Sequence, residues 1–234
     1  MTIADQIEIV RQNIDQYTEE AGRPAGSVRL LAVSKTHPAS AIQEAYESGI
    51  TEFGESYLQE ALTKIDACKN IPLIWHFIGP IQSNKTRAIA ENFDWVQSVD
   101  REKVLRRLSE QRPGQLGPLR ICIQANIFSE PQKKGANPQE LPQLLDLAEE
   151  LPNIELRGLM VLPPPVSEFD RQLEQFTKVT QIFNELKQKH SQMDRLSMGM
   201  SGDIKAAIFA GSDMVRVGTG IFGQRKPRKP DNQN

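Results

Sequence analysis

Four groups of residues in this 234-residue chain have types and spacings that could do chemistry. The first is Lys35, which follows the apolar run Val28-Arg29-Leu30-Leu31-Ala32-Val33-Ser34 and precedes Thr36-His37-Pro38. An amine at the exit of such a run has two readings: a solvated loop cation, or a group kept partly neutral by desolvation so that it forms a Schiff base with an aldehyde. The second and third groups are Met198-Gly199-Met200-Ser201-Gly202-Asp203 and Gly218-Thr219-Gly220. Each alone is a glycine-bearing turn with a hydroxyl or carboxylate free to cap a helix. Together they offer hydroxyls and backbone N–H groups to one anion, such as phosphate. The fourth is Arg216, at the end of the apolar run Asp213-Met214-Val215-Arg216-Val217; it either pairs with a carboxylate such as Asp203 or Asp213, or donates to an acceptor on a ligand.

The elements that must position these groups repeat along the chain. Ile3, Ile7, Val10, Ile14 and Tyr17 recur at 4-3-4-3 spacing and predict an opening amphipathic helix within residues 1–22, with Thr2 as its cap and Asp5 in its first turn. The Lys35 strand is apolar on both faces, which requires both faces to be covered and favours a parallel sheet wrapped by helices. A helix from Pro38 to Ser48 follows it, and then short apolar strands alternate with amphipathic helices. The strands are Ile50–Phe53, Leu73–Ile78, Asp94–Val99, Leu119–Asn126, Ile154–Met160, Arg195–Met198 and Asp213–Val217. Among the helices, one is capped by Asp100, one begins at Pro138, and one starts at Ser201-Gly202-Asp203. Eight such units predict a single-domain (β/α)8 barrel over residues 28–223, with a flexible basic tail at 224–234. The alternative, an open doubly wound sheet, lacks a Gly-x-Gly-x-x-Gly turn after the first strand.

In a barrel the carboxyl ends of the strands form one rim. That rim collects Lys35, Glu55, Ser56, His76, Gly79, Ser98, Asn126, Met160, Ser201, Gly202, Arg216, Gly218 and Thr219, whereas the strands themselves read as bland apolar filling. An amine for an aldehyde, a phosphate cradle and a ring-binding donor on one rim together suggest a single cofactor, pyridoxal 5'-phosphate.

Several segments then carry a resemblance. Ala32-Val33-Ser34-Lys35, Phe53-Gly54-Glu55-Ser56-Tyr57-Leu58-Gln59-Glu60, Trp75-His76-Phe77-Ile78-Gly79, Gly158-Leu159-Met160, Ser197 to Asp203 and Val215 to Gly223 are similar to the pyridoxal phosphate homeostasis protein family, single-domain barrels related to the alanine racemase barrel. The resemblance runs over nearly the whole chain. It implies Lys35 as the Schiff-base lysine, Ser201, Gly202, Gly218 and Thr219 around the phosphate, and Arg216 facing the pyridine nitrogen. Ser56, His76 and Met160 complete the expected cofactor set. Ser56 stands where that family usually has Asn, which shortens any side-chain contact, and the loop from Ile127 to Ala136 is diverged.

A cation at the pyridine nitrogen disfavours protonation there and weakens the ring as an electron sink. The expected function is therefore non-enzymatic: binding pyridoxal phosphate and buffering it or handing it to cofactor-dependent apoenzymes. A weak amino-acid racemase is the alternative, with His76 or Lys35 as base; racemases of the related barrel take a second base, a tyrosine, from an extra domain. Tyr17, Tyr46 and Tyr57 all fall in predicted helices. A barrel enzyme for another phosphorylated metabolite is the third reading.

Composition bounds the rest. A net charge of -2 argues against nucleic acid as a main partner. No apolar stretch approaches the roughly 18 residues of a membrane helix, and Met1 to Asp5 lacks the features of a signal peptide. Cys68 and Cys122 form no Cys-x-x-Cys pair, and His37, His76 and His190 are well separated, so no metal site is expected. A cytoplasmic monomer is the expectation.

Overall fold

The computed structural model describes residues 1–130 and 132–224, so the expected basic tail beyond Gln224 lies outside the described residues. Thr2 opens α1 (Ile3–Glu20) as expected: its hydroxyl accepts the Asp5 N–H at 3.1 Å, while the Asp5 carboxylate accepts the Thr2 N–H at 2.8 Å. The chain then alternates through β1 (Arg29–Val33), α2 (Ala39–Glu47), β2 (Glu52–Glu55), α3 (Leu58–Ala67), β3 (Ile74–Phe77), α4 (Thr86–Asn92), β4 (Trp95–Val99) and α5 (Glu102–Gln111). It continues through β5 (Leu119–Ala125), α6 (Leu141–Glu150), β6 (Ile154–Val161), α7 (Phe169–Lys189), β7 (Arg195–Met200), α8 (Ile204–Phe209), β8 (Met214–Val217) and α9 (Thr219–Phe222).

Each strand pairs in parallel with the next, because each connection is long enough to cross back over the sheet. β8 closes on β1, with Leu30 opposite Val215 and Ala32 opposite Val217. This is the expected (β/α)8 barrel. Three helix starts differ from expectation. Asp100 does not cap α5; its carboxylate is taken by Arg101 Nη1 at 2.5 Å, and Arg101 occupies the cap. α6 begins at Leu141 rather than Pro138, because Pro142 sits in its first turn, where a missing N–H costs nothing. Ser201-Gly202-Asp203 forms a turn before α8, tied by the Met200 N–H to Asp203 Oδ1 at 2.5 Å.

Burial separates into two layers, as the two-residue period of a strand demands. Phe53, Trp75, Phe77, Val96, Leu196, Met198, Val215 and Val217 turn outward into one large apolar core shared with the helices. The residues between them point into the barrel: Trp95, Cys122 and Met160 form a small apolar cluster there. Beside it lie buried His76, Gln97, Ser197 and Arg216. The barrel interior is therefore far more polar than the apolar strands expected from sequence.

The rim is held by close backbone approaches. Gly79, after β3, leaves so little room that a Cβ would lie 2.1 Å from the Ser56 carbonyl oxygen, while its own carbonyl accepts the Ser98 hydroxyl at 2.6 Å. We expect Gly79→Ala to push the Ser56 segment outward and cost more than about 2 kcal/mol. Urea unfolding of the variant checks this; an unchanged midpoint would contradict the tight approach.

Candidate functional site

A cavity of about 310 Å³ opens at the carboxyl end of the barrel, at the small end of the roughly 300–1,000 Å³ typical of ligand pockets. Its wall is drawn from an unbroken arc of strands, β6, β7, β8, β1, β2 and β3, because β8 and β1 are neighbours. Lys35 comes from the turn after β1, Ser56 from the end of β2, Met160 from β6, Ser201 and Gly202 from beyond β7, and Arg216, Gly218 and Thr219 from β8 and its exit. Eight of the nine residues expected to meet the cofactor thus line one cavity.

The two turns expected to cradle an anion are in contact. Thr219 Oγ1 donates to Ser201 Oγ at 3.3 Å, and the Gly220 N–H reaches the same oxygen at 3.3 Å. A Cβ on Gly202 would meet nothing within 4 Å, and one on Gly218 would lie 3.3 Å from the Val33 carbonyl oxygen. The Ser201 and Thr219 hydroxyls and the open backbone at Gly202 therefore line the mouth, a neutral donor set suited to an oxyanion.

Arg216 is 4% exposed and has no carboxylate within ion-pair distance among the described residues, so neither Asp203 nor Asp213 is its partner. It donates instead to Ser197 Oγ at 2.8 Å and to the Val161 carbonyl at 3.0 Å. Burial lowers its pKa to about 10, opposed by the Asp203 charge; at neutral pH the guanidinium remains a cation. Asp203 is itself pushed above the ordinary carboxylate range, chiefly by burial.

His76 is the expected site residue that the structure places elsewhere. It lies below the cavity, fully buried and stacked on Trp95 at 5.3 Å between ring centroids. It is one link of a polar chain inside the barrel. Arg216 donates to the Ser197 hydroxyl, which donates to Gln97 Oε1 at 2.7 Å. That bond turns the Gln97 amide nitrogen to His76 Nδ1 at 2.9 Å, so Nδ1 accepts and Nε2 carries the proton, 3.2 Å from Glu52 Oε2. Glu52 also pairs with Arg29. Two other rim residues are structural: Ser98 anchors Gly79, and Asn126 closes its own loop through the Glu130 N–H and carbonyl at 3.1 and 2.9 Å. Sequence reading missed Gln97 and Ser197, whose only signal was a polar residue at an inward position of an otherwise apolar strand.

The fold and this cavity define the class: a barrel of the kind that begins alanine racemases. The family model described as "Alanine racemase, N-terminal domain" matches residues 6–226. The chain is 18% identical to alanine racemase from Corynebacterium glutamicum, with a TM-score of 0.69 over 96% of this chain and 64% of that one, a likeness of fold alone. Within that class the chain belongs to the pyridoxal phosphate homeostasis protein family. It is 50% identical over 224 residues, 96% of each chain, to the family's protein from Pseudomonas aeruginosa. It also superposes on PipY of Synechococcus elongatus with pyridoxal phosphate bound, at 35% identity and a TM-score of 0.81, over 95% of this chain and all of that one.

Burial depresses the His76 pKa below 6.5, although Glu52 opposes the shift. A base whose folded value lies below its unfolded one holds fewer protons when folded, so stability falls as pH drops below about 6.5. His76→Gln, neutral throughout that range, should flatten the loss of urea midpoint between pH 7.5 and 5.5; an unaltered slope would assign the loss to other groups.

Proposed function

We propose that the protein binds pyridoxal 5'-phosphate in this cavity, bonded through Lys35, and stores or hands on the cofactor rather than turning over a substrate. The observation that carries this reading is the convergence of Lys35, the Ser201–Thr219 cradle and Arg216 on one small cavity. The donor set fits the cofactor: hydroxyls and backbone for the phosphate, a buried cation for the ring nitrogen, an amine for the aldehyde. When bound, the cofactor supplies an aldehyde carbon that the Lys35 amine joins with loss of one water. Met160 and Leu162 supply apolar wall, and Ser56 closes the side toward β2.

The names of the relatives support a role in cofactor homeostasis, and the bound cofactor in PipY supports the ligand. The lining supports holding over turnover. Lys35 and Arg216 are its titratable members, and Arg216 keeps its proton at neutral pH. Racemisation needs a base on each face of the ring. His76 is sealed away with Gln97 and Glu52. Tyr57 lines the neighbouring cavity, Tyr17 on α1 lies under the Lys205 ammonium of α8, and Tyr46 lies in α2.

We further infer that apoenzymes needing the cofactor are its acceptors, and that the protein acts as a cytoplasmic monomer. Two buried free thiols support a reducing compartment; burial drives the Cys122 pKa up to about 12, which makes it inert. Exposed large apolar residues are scattered, at Ile9, Leu116, Phe169 and Met200, which supports a monomer. No helix among the described residues is long and apolar enough to cross a membrane.

Borohydride reduction of the cofactor-loaded protein followed by peptide mass mapping should place a pyridoxyl group on Lys35, and Lys35→Ala should abolish it. An unmodified Lys35 would overturn the reading. The cradle is tested separately: Ser201→Ala with Thr219→Val should weaken pyridoxal phosphate binding about 10- to 100-fold. Binding of pyridoxal, which has no phosphate, should barely change. Equal losses for both ligands would remove the phosphate from those two turns.

A further inference from the structure

The turn that carries Lys35 is strained. The His37 N–H closes it onto the Ser34 carbonyl at 3.0 Å, which places Lys35 second and Thr36 third among its four residues. Thr36 has φ of +71°, in the left-handed region that glycine or asparagine occupies readily and a β-branched residue rarely does. Such a conformation costs about 1–3 kcal/mol and persists only where surrounding groups dictate it.

Those groups come from α3. Glu60 Oε1 accepts the Thr36 N–H at 2.5 Å and the Lys64 ammonium at 2.6 Å, one helical turn on. Lys64, itself buried, also donates to the Ser34 carbonyl at 2.8 Å and to Glu55 Oε1 at 2.7 Å, which in turn accepts the Ser34 hydroxyl at 2.6 Å. Both neighbours of Lys35 are thus tied to one ionic cluster, while Lys35 lines the cavity. A solvated loop lysine would need no such support.

We propose that Glu60 is a positioning residue for Lys35: through Lys64 and the Thr36 N–H it holds the turn in the left-handed form that presents the amine to the cavity. The use made of the amine rests on the function proposed above; the clamp itself does not. Glycine tolerates the Thr36 conformation unaided, so Thr36→Gly should make Glu60 dispensable. That rescue separates positioning from a general contribution to folding.

The experiment uses the full chain and two readouts. In cofactor-free protein, amide exchange of Thr36 by NMR should quicken at least fivefold in Glu60→Ala. After mixing with pyridoxal phosphate, the rate of borohydride-trapped pyridoxyl formation on Lys35 should fall roughly tenfold in Glu60→Ala, the kinetic equivalent of the strain released. The Thr36→Gly/Glu60→Ala double variant should return that rate to within about threefold of wild type. Should Glu60→Ala not fold, Glu60→Asp keeps the charge for Lys64 but withdraws the oxygen by one methylene, and the same loss and rescue are expected. An adduct rate that does not change without the Glu60 oxygen, or a loss that Thr36→Gly leaves in place, overturns the proposal. If wild type itself forms no Lys35 adduct, the cofactor reading fails, and Thr36 exchange alone decides the clamp: unchanged exchange refutes it.

Discussion

A guanidinium buried inside the barrel, with no carboxylate among the described residues within ion-pair distance, is the constraint to which the rest of the interior answers. Desolvating such a charge costs several kcal/mol unless its donors are met. Arg216 meets the cost with a hydroxyl and a carbonyl, Ser197 Oγ and Val161 O. Neither quenches the charge. The guanidinium also lines the cavity, so the donors it does not use inside the barrel can serve an acceptor there. A carboxylate partner would have been the more stable arrangement and would have left less field for a ligand.

The polar chain behind Arg216 follows from that choice. Once Ser197 accepts from Arg216, its proton must go to Gln97 Oε1, which aims the amide nitrogen at His76 and sends the imidazole proton toward Glu52. Along this chain the donors run in one order, from Arg216 at the cavity through Ser197 and Gln97 to His76. An amide in the middle cannot pass a proton on, so the chain fixes orientation rather than moving charge. It also explains why the interior accommodates only a small apolar cluster, Trp95, Cys122 and Met160, while the bulk of hydrophobic stabilisation lies in the strand–helix layer outside it.

The barrel was legible because eight strand-length apolar runs alternate with helical periodicities, and because Thr2 and Asp5 spell a capping box. The rim was legible because the closing residues of those runs change abruptly to lysine, glycine and hydroxyls. What lay inside was not. Leu73–Ile78 reads as one apolar strand that brings His76 to the rim, yet the pleat sends Trp75 and Phe77 outward and His76 inward below the rim. Gln97 and Ser197 become meaningful only when β4 and β7, distant in sequence, face each other across the barrel. Helix starts failed for a similar reason: Asp100 looked like a cap until Arg101 claimed its carboxylate.

The same geometry argues for holding the cofactor over transforming a substrate. Catalysis by a ring that serves as an electron sink requires charge to be taken up at the ring nitrogen, and in the proposed binding mode the Arg216 cation would oppose the protonation that completes it. The interior makes that cation hard to move, because rotating Arg216 would leave its guanidinium without the Ser197 hydroxyl and the Val161 carbonyl in a dry space. On the other side the amine sits in a turn tied at both flanks, by Lys64 and Glu55 at Ser34 and by Glu60 at Thr36. In the binding mode proposed above, Arg216 and Lys35 would each be held by groups that do not face the cavity, while the phosphate would meet neutral donors on the exposed Ser201 and Thr219 turns. A site braced at Arg216 and at the Lys35 turn is suited to aligning one ligand between them.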